Sequence, residues 1–174
     1  MLSAMIERAL VVYERALKIA VATLVAAIVV AMAWQILGRA IGHPPLWTSE
    51  LLTILLVWLT FLGAALATRL AGHIRVDSFV KKLTPRDERV ARIAGLVLVL
   101  AFLVIVFVAG ISHIESALGI RTPILGAPTA LTAAGPAVGA IAIIPFVIDD
   151  LVKRLTGRVT SDASTIDAAP AAEL

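Results

Sequence analysis

Four long apolar stretches, at residues 16–38, 51–70, 93–113 and 131–152, limit what this chain can fold into more than any other feature. Each is close to the roughly 20 apolar residues that carry an α-helix across a hydrocarbon layer. At that depth an open strand leaves N–H and C=O groups without partners, so runs this continuous are expected to be helical. With 60% of the residues hydrophobic, little remains to build a water-soluble core. The sequence therefore reads as one all-α integral membrane domain over residues 1–156, with a polar, disordered tail over 157–174.

Positive charge sets the expected orientation. All but two of the 15 Lys and Arg residues lie before the first stretch or at its start, at the end of the second or between it and the third, or after the fourth. The exceptions, Arg39 and Arg121, fall one in each remaining loop. Basic residues favour the cytoplasmic side, so both termini and the second loop are expected inside, and the first and third loops outside. These bases border membrane ends and do not form a stripe with interleaved aromatics, so no nucleic-acid partner is expected. A lipid bilayer is the partner that composition demands.

The N-terminal region has a competing reading. Ala31-Met32-Ala33 after an apolar run has the small-residue form of a leader cleavage site. However, Glu7 and Glu14 stand among the leading bases, and the apolar run continues through Trp34, Ile36 and Leu37 to spanning length. An uncleaved anchor is the better expectation. Residues 3–15, with Ile6, Leu10 and Tyr13 at helical spacing, read as an interfacial lead-in to it.

Between the second and third spans, Val76, Phe79, Val80 and Leu83 recur at i, i+3, i+4 and i+7 opposite Asp77, Lys81 and Lys82. That pattern predicts a short amphipathic helix on the inner membrane surface. Thr84-Pro85-Arg86-Asp87 is a helix start signal, so the third helix should begin well before its apolar stretch and reach about Leu118, a length of roughly 50 Å. Trp47 suits the headgroup layer, and Thr48 or Ser49 is a candidate cap for the second helix. The third loop, over residues 119–129, carries Gly and Pro without a strong pattern. Pro136 and Pro145 interrupt the final span, where Asp149 with Lys153 and Asp150 with Arg154 are paired acid-first at i, i+4.

The spans are dry. Their interior polar side chains are mainly Thr23, Thr53 and Thr60, and such hydroxyls tend to bond their own helix backbone rather than a solute. A complete permease needs ionisable groups or unwound backbone near mid-membrane, and neither is present in quantity. The absence of cysteine removes thiolate metal sites and thiol redox chemistry. His43, His73 and His113 are scattered over both sides and do not form paired haem ligands. No nucleophile, base and orienting acid occur together, so neither enzymatic activity nor a cofactor is expected.

Small residues instead recur at four-residue spacing: Ala22 with Ala26, Ala27 with Ala31, Gly63 with Ala67, and Gly135 with Gly139. They favour close helix packing, within the chain or against a partner. Two polar groupings stand out. Arg39 and Glu50 face each other across the outward hairpin, either as an ion pair or solvated independently. Arg69, His73, Arg75 and Asp77 crowd the inner end of the second span, where they would lock it to the surface helix.

Three segments carry a family resemblance: Trp47-Thr-Ser-Glu50-Leu-Leu, then Val57-Trp58-Leu-Thr-Phe61-Leu62-Gly63-Ala64-Ala65, then Gly72-His73-Ile74-Arg75-Val76-Asp77. In order and spacing they resemble the small membrane subunit, of DctQ type, of tripartite ATP-independent periplasmic (TRAP) transporters. The resemblance covers about residues 10–155. It implies a non-catalytic scaffold for a large membrane subunit that holds the solute and sodium sites, with a periplasmic solute-binding protein delivering an organic acid. On this basis Arg39, Trp47, Glu50, Trp58, Gly63, Arg69, His73, Arg75 and Asp77 are structural or interface candidates. A single acid, Glu50, follows Ser49 where relatives often show two, so a paired-carboxylate role is not carried over. The competing function is a self-sufficient exporter made of several four-span chains, which the lack of a membrane-embedded carboxylate disfavours.

Overall fold

The computed structural model describes residues 2–71 and 85–155. Among them are four helices, α1 (Leu2–Ala40), α2 (Trp47–Ala71), α3 (Pro85–Ala117) and α4 (Ala130–Leu155). All four are long and apolar enough to cross a membrane. The described residues contain no strand, only an isolated bridge between Arg121 and Pro128. The expected surface helix, with His73, Arg75 and Asp77, lies outside the described residues, as does the tail.

Helix limits follow local chemistry, with two departures from expectation. The α3 helix begins at Pro85, whose fixed φ and missing N–H suit a first helical position, and at 33 residues it has the expected length. The lead-in, by contrast, is no separate turn: α1 runs unbroken for 39 residues. Nor does Thr48 or Ser49 cap α2. The helix already starts at Trp47, so both hydroxyls sit inside its first turn. There Thr48 donates back to the Pro45 carbonyl, while Ser49 Oγ accepts from Gln35 Nε2 of α1 at 3.3 Å.

Helices consecutive in sequence run antiparallel, so the outer ends of α1 and α4 share one end of the molecule and the α1–α2 and α3–α4 loops share the other, while α2 and α4 run parallel. Packing runs in the order α1, α2, α4, α3. This makes an open layer with α4 inside it: 44% of the apolar window of α4 is buried, against 11% for each other helix. The burial is achieved with small residues. Ala133, Ala137, Ala140 and Ala142 are all buried on α4, which lets its neighbours approach closely.

The Gly135 and Gly139 pair serves the same end. A Cβ on Gly139 would stand 2.6 Å from Phe61 Cβ, and one on Gly135 would stand 2.5 Å from Val57 Cγ1, so α2 seats its Phe61 ring on bare α4 backbone. Gly63 differs, because a Cβ there meets nothing within 4 Å inside the chain. Two apolar clusters complete the core. Leu10 and Leu17 of α1 meet Ala65 of α2 and Ala142 and Phe146 of α4 at the termini end. Leu103 of α3 packs on Ala140 and Val147 of α4.

The spans are as dry as the sequence implies. Thr23, Thr53, Thr60 and Thr68 each donate to the carbonyl four residues earlier, at 2.8–3.0 Å, so these hydroxyls are spent within their own helices. Outward-facing side chains on α1 and α3 are aliphatic or aromatic, among them Val30, Ile36, Leu98, Phe102 and Ile105. Such surfaces require lipid or another membrane protein.

Candidate functional site

Polar side chains gather at the two ends of the helices, and each gathering ties together segments far apart in sequence. At the loop end the organiser is Glu50. It lies in the first turn of α2, and its two carboxylate oxygens accept successive amides from the α3–α4 loop: Ile124 N–H at 3.1 Å and Leu125 N–H at 2.7 Å. A carboxylate holding two adjacent backbone donors makes charge-assisted bonds, roughly twice as strong as neutral ones. Arg39, also a candidate here, is exposed at the end of α1 and makes no ion pair with Glu50. The ion pair does not form and Arg39 is exposed, as independent solvation implies, whereas Glu50 is committed to main chain that its own sequence neighbourhood gave no reason to expect.

The loop that Glu50 grips is ordered by its own bonds, contrary to its patternless sequence. Thr122 N–H donates to Ala127 O at 2.9 Å, Gly126 N–H to Thr122 O at 3.1 Å, and Thr129 N–H to Ile120 O at 3.0 Å. Side chains reinforce the turn, with Thr122 Oγ1 accepting Ala127 N–H and Arg121 Nη1 donating to Gly126 O, both at 3.0 Å. Arg121 is therefore a loop strut. The result is a closed turn whose tip amides converge on one carboxylate.

Below this loop, half-buried Trp58 of α2 donates Nε1–H to Leu131 O of α4 at 3.1 Å. The acceptor adjoins a carbonyl that Pro136 deprives of its intrahelical donor, that of Thr132. A similar arrangement recurs at the other end, where Tyr13 Oη donates to Ala142 O at 3.2 Å, next to the Ile141 carbonyl that Pro145 leaves without a donor. Each proline in α4 thus has an aromatic donor from another helix within one residue of the break. Trp47, 39% exposed, opens α2 at the loop end.

At the termini end the organiser is Arg69. Its Nε donates to Glu14 Oε2 of α1 at 3.1 Å and its Nη1 to Asp149 Oδ2 of α4 at 3.4 Å, so one guanidinium joins three helices. Lys18 pairs with Glu14 at 2.6 Å and Lys153 with Asp149 at 2.9 Å, which leaves each carboxylate bracketed by two cations. The three central side chains are only 11–20% exposed. Arg69 also lies 5.8 Å from the centre of the Phe146 ring, which in turn is 5.4 Å from Tyr13.

This network fulfils one expectation and lies beside another that falls outside the described residues. The expected crowding of Arg69 with His73, Arg75 and Asp77 lies outside the described residues; among the described residues Arg69 bonds Glu14 and Asp149. The i, i+4 pairing of Asp149 with Lys153 is present, while the Arg154 side chain is outside what is described. Glu14 was not singled out from sequence, although a signal existed: it shares the face of Leu10, Tyr13 and Leu17, and an acid on a buried face needs a partner. Among the described residues no group of His, Cys, Asp or Glu side chains is arranged to hold a metal.

The geometry is that of a clamped helical layer with polar ties at its ends. Comparison with known proteins agrees with it. Over 149 residues the chain is 28% identical to the sialic acid TRAP transporter small permease protein SiaQ of Vibrio cholerae serotype O1, an overlap of 83% of this chain and 85% of that protein. Residues 8–157 match the family described as tripartite ATP-independent periplasmic transporters, DctQ component, and the chain belongs to that family of small membrane subunits.

Proposed function

We propose that this chain is the scaffold subunit of a binding-protein-dependent secondary transporter in the bacterial inner membrane. It holds a large membrane subunit that binds solute and sodium, and a periplasmic protein delivers the solute. The observation that carries this reading is the dryness of the spans. Every described threonine within the helix interiors named above is bonded to its own backbone, and the charged side chains tie helix ends together instead of lining a path. A polypeptide built this way does not carry a hydrophilic solute through its own helices. It presents packed apolar faces to something that does.

In this reading both termini and the segment between α2 and α3 face the cytoplasm, the latter as a helix lying on the membrane, and the Glu50-gripped loop faces outward. Residues 1–156 form the membrane domain and 157–174 a disordered tail. The solute is an organic acid, as it is for the SiaQ relative, whose name specifies sialic acid. Arg39, Trp47 and Gly63, which have no described role inside the fold, and His73, Arg75 and Asp77, which lie outside the described residues, are assigned to the subunit interface.

Reconstitution tests this directly. The chain alone in liposomes should move no solute, and uptake should appear only with the large subunit, the binding protein and a sodium gradient. Transport by the lone chain would end the proposal. Reporter fusions in the α1–α2 loop and at the C-terminus test orientation, with periplasmic activity expected only for the loop.

A further inference from the structure

The part of α1 nearest its N-terminus has two dissimilar faces. Leu10, Tyr13, Glu14 and Leu17 turn into the bundle, and Glu14 is neutralised there by Arg69 and Lys18. The opposite face carries Arg8, Val11, Val12, Arg15 and Ile19. Its aliphatic members are 53%, 69% and 61% exposed, and both arginines are exposed as well. Neither Arg8 nor Arg15 has a hydrogen-bond or ion-pair partner among the described residues. Glu7, Arg8, Val11 and Val12 line a shallow, open hollow on this face.

Depth gives the face a meaning. The uncharged run from Ile19 to Gly38 is 20 residues long in the sequence, enough at about 1.5 Å each to cross the hydrocarbon layer. Arg15 then stands about one turn beyond the hydrocarbon edge, at headgroup depth. Arg8 follows about two turns farther out, with Val11 and Val12 between them. Uncompensated guanidinium groups interleaved with exposed aliphatic side chains at a lipid–water boundary complement an amphiphile with an anionic head. A water-soluble acidic partner would leave the valines without cover.

We propose that this face is a binding site for an anionic membrane phospholipid. Arg8 and Arg15 bracket the phosphate, Val11 and Val12 flank the head group between them, and Ile19, on the core side of Arg15, supports the acyl chain. Glu7, which borders the hollow beside Arg8, opposes the phosphate and weakens the site. The proposal requires only that α1 crosses a bilayer. It is independent of the partner subunits and of which leaflet is involved.

Native mass spectrometry of the full chain released from micelles tests it, with phosphatidylglycerol and phosphatidylcholine of matched acyl chains as probes. At about 1 kcal/mol per basic residue, two arginines predict phosphatidylglycerol retained roughly tenfold or more over phosphatidylcholine. The double variant Arg8→Gln/Arg15→Gln should erase that preference while leaving the melting temperature unchanged, because both side chains are exposed. Glu7→Gln should strengthen it. Excess inorganic phosphate should leave the lipid bound, since the acyl chain contributes. Equal retention of the two lipids would leave the face to a protein partner and overturn the proposal. A preference that survives the double variant, or that free phosphate abolishes, would overturn it too.

Discussion

Glu50 accepts the amide of Leu125 at 2.7 Å across 75 residues of sequence, so the first turn of α2 governs the shape of the loop between α3 and α4. Its other oxygen holds Ile124, which makes the grip two-pronged. A glutamine in this position keeps the shape but not the chemistry. Its amide oxygen can accept one N–H, while its NH2 group confronts the other donor to donor.

Glu50→Gln is therefore expected to free the loop tip without unfolding the helices. Hydrogen exchange at the Ile124 and Leu125 amides should accelerate clearly, because both lose a charge-assisted bond. Exchange within α2 and α4 should change little. Unaltered exchange at the two amides would show that the carboxylate is not what orders the loop.

The Glu50 grip marks the limit of sequence reading in this fold. Long apolar runs dictate helix through a local rule, the need to satisfy backbone groups in lipid, so all four spans were legible, as was the Pro85 start of α3. The self-bonded threonines were legible for the same reason. Glu50 with Leu125, and Arg69 with Glu14 and Asp149, depend on which helices become neighbours. No spacing within a single segment encodes that. Sequence proximity thus offers Glu50 only Arg39, its nearest opposite charge along the hairpin, and gives Arg69 no pointer to Glu14 or Asp149. A Cβ at Gly63, which shares the small-residue spacing, would meet no neighbour among the described residues, whereas one at Gly135 or Gly139 would.

Arg69 is expected to be the most costly charged residue to remove. Arg69→Ala leaves Glu14 and Asp149 partly buried with only their i, i+4 lysines, and should lower the unfolding free energy by about 2–4 kcal/mol, read as a clear drop in melting temperature in detergent. Arg69→Lys should recover little, because a single ammonium cannot span two carboxylates as the planar fork does. A double-mutant cycle between Arg69 and Glu14 should show coupling of about 1 kcal/mol or more; independent, additive losses would contradict the network.

The two classes of glycine should separate cleanly. Gly139→Val drives side-chain atoms into Phe61 and is expected to cost about 1–3 kcal/mol, with Phe61→Ala partly restoring the loss by making room. Gly63→Ala should leave the lone chain as stable as before or slightly more so, since it gains helix propensity and meets no neighbour. If Gly63 lies at the subunit interface, a large substitution such as Gly63→Leu should nevertheless reduce copurification with the large subunit. A marked fall in the melting temperature of the lone Gly63→Ala chain would remove the basis for that assignment.

Trp58 offers a test of how α4 tolerates its prolines. The indole N–H reaches Leu131 O one residue from the carbonyl that Pro136 leaves without a helical donor, so it supplies a lateral bond where the ladder of α4 is weakest. Trp58→Phe retains most of the ring and deletes the donor, and should cost about 1 kcal/mol. The loss should be local, with faster amide exchange in the first turns of α4 and none at the termini end. Replacing Pro136 by alanine restores the N–H and hence the ladder bond to Thr132, so in that background the cost of Trp58→Phe should shrink. An undiminished cost in the Pro136→Ala background would mean that Trp58 acts through packing against its neighbours, with no connection to the break in the helix.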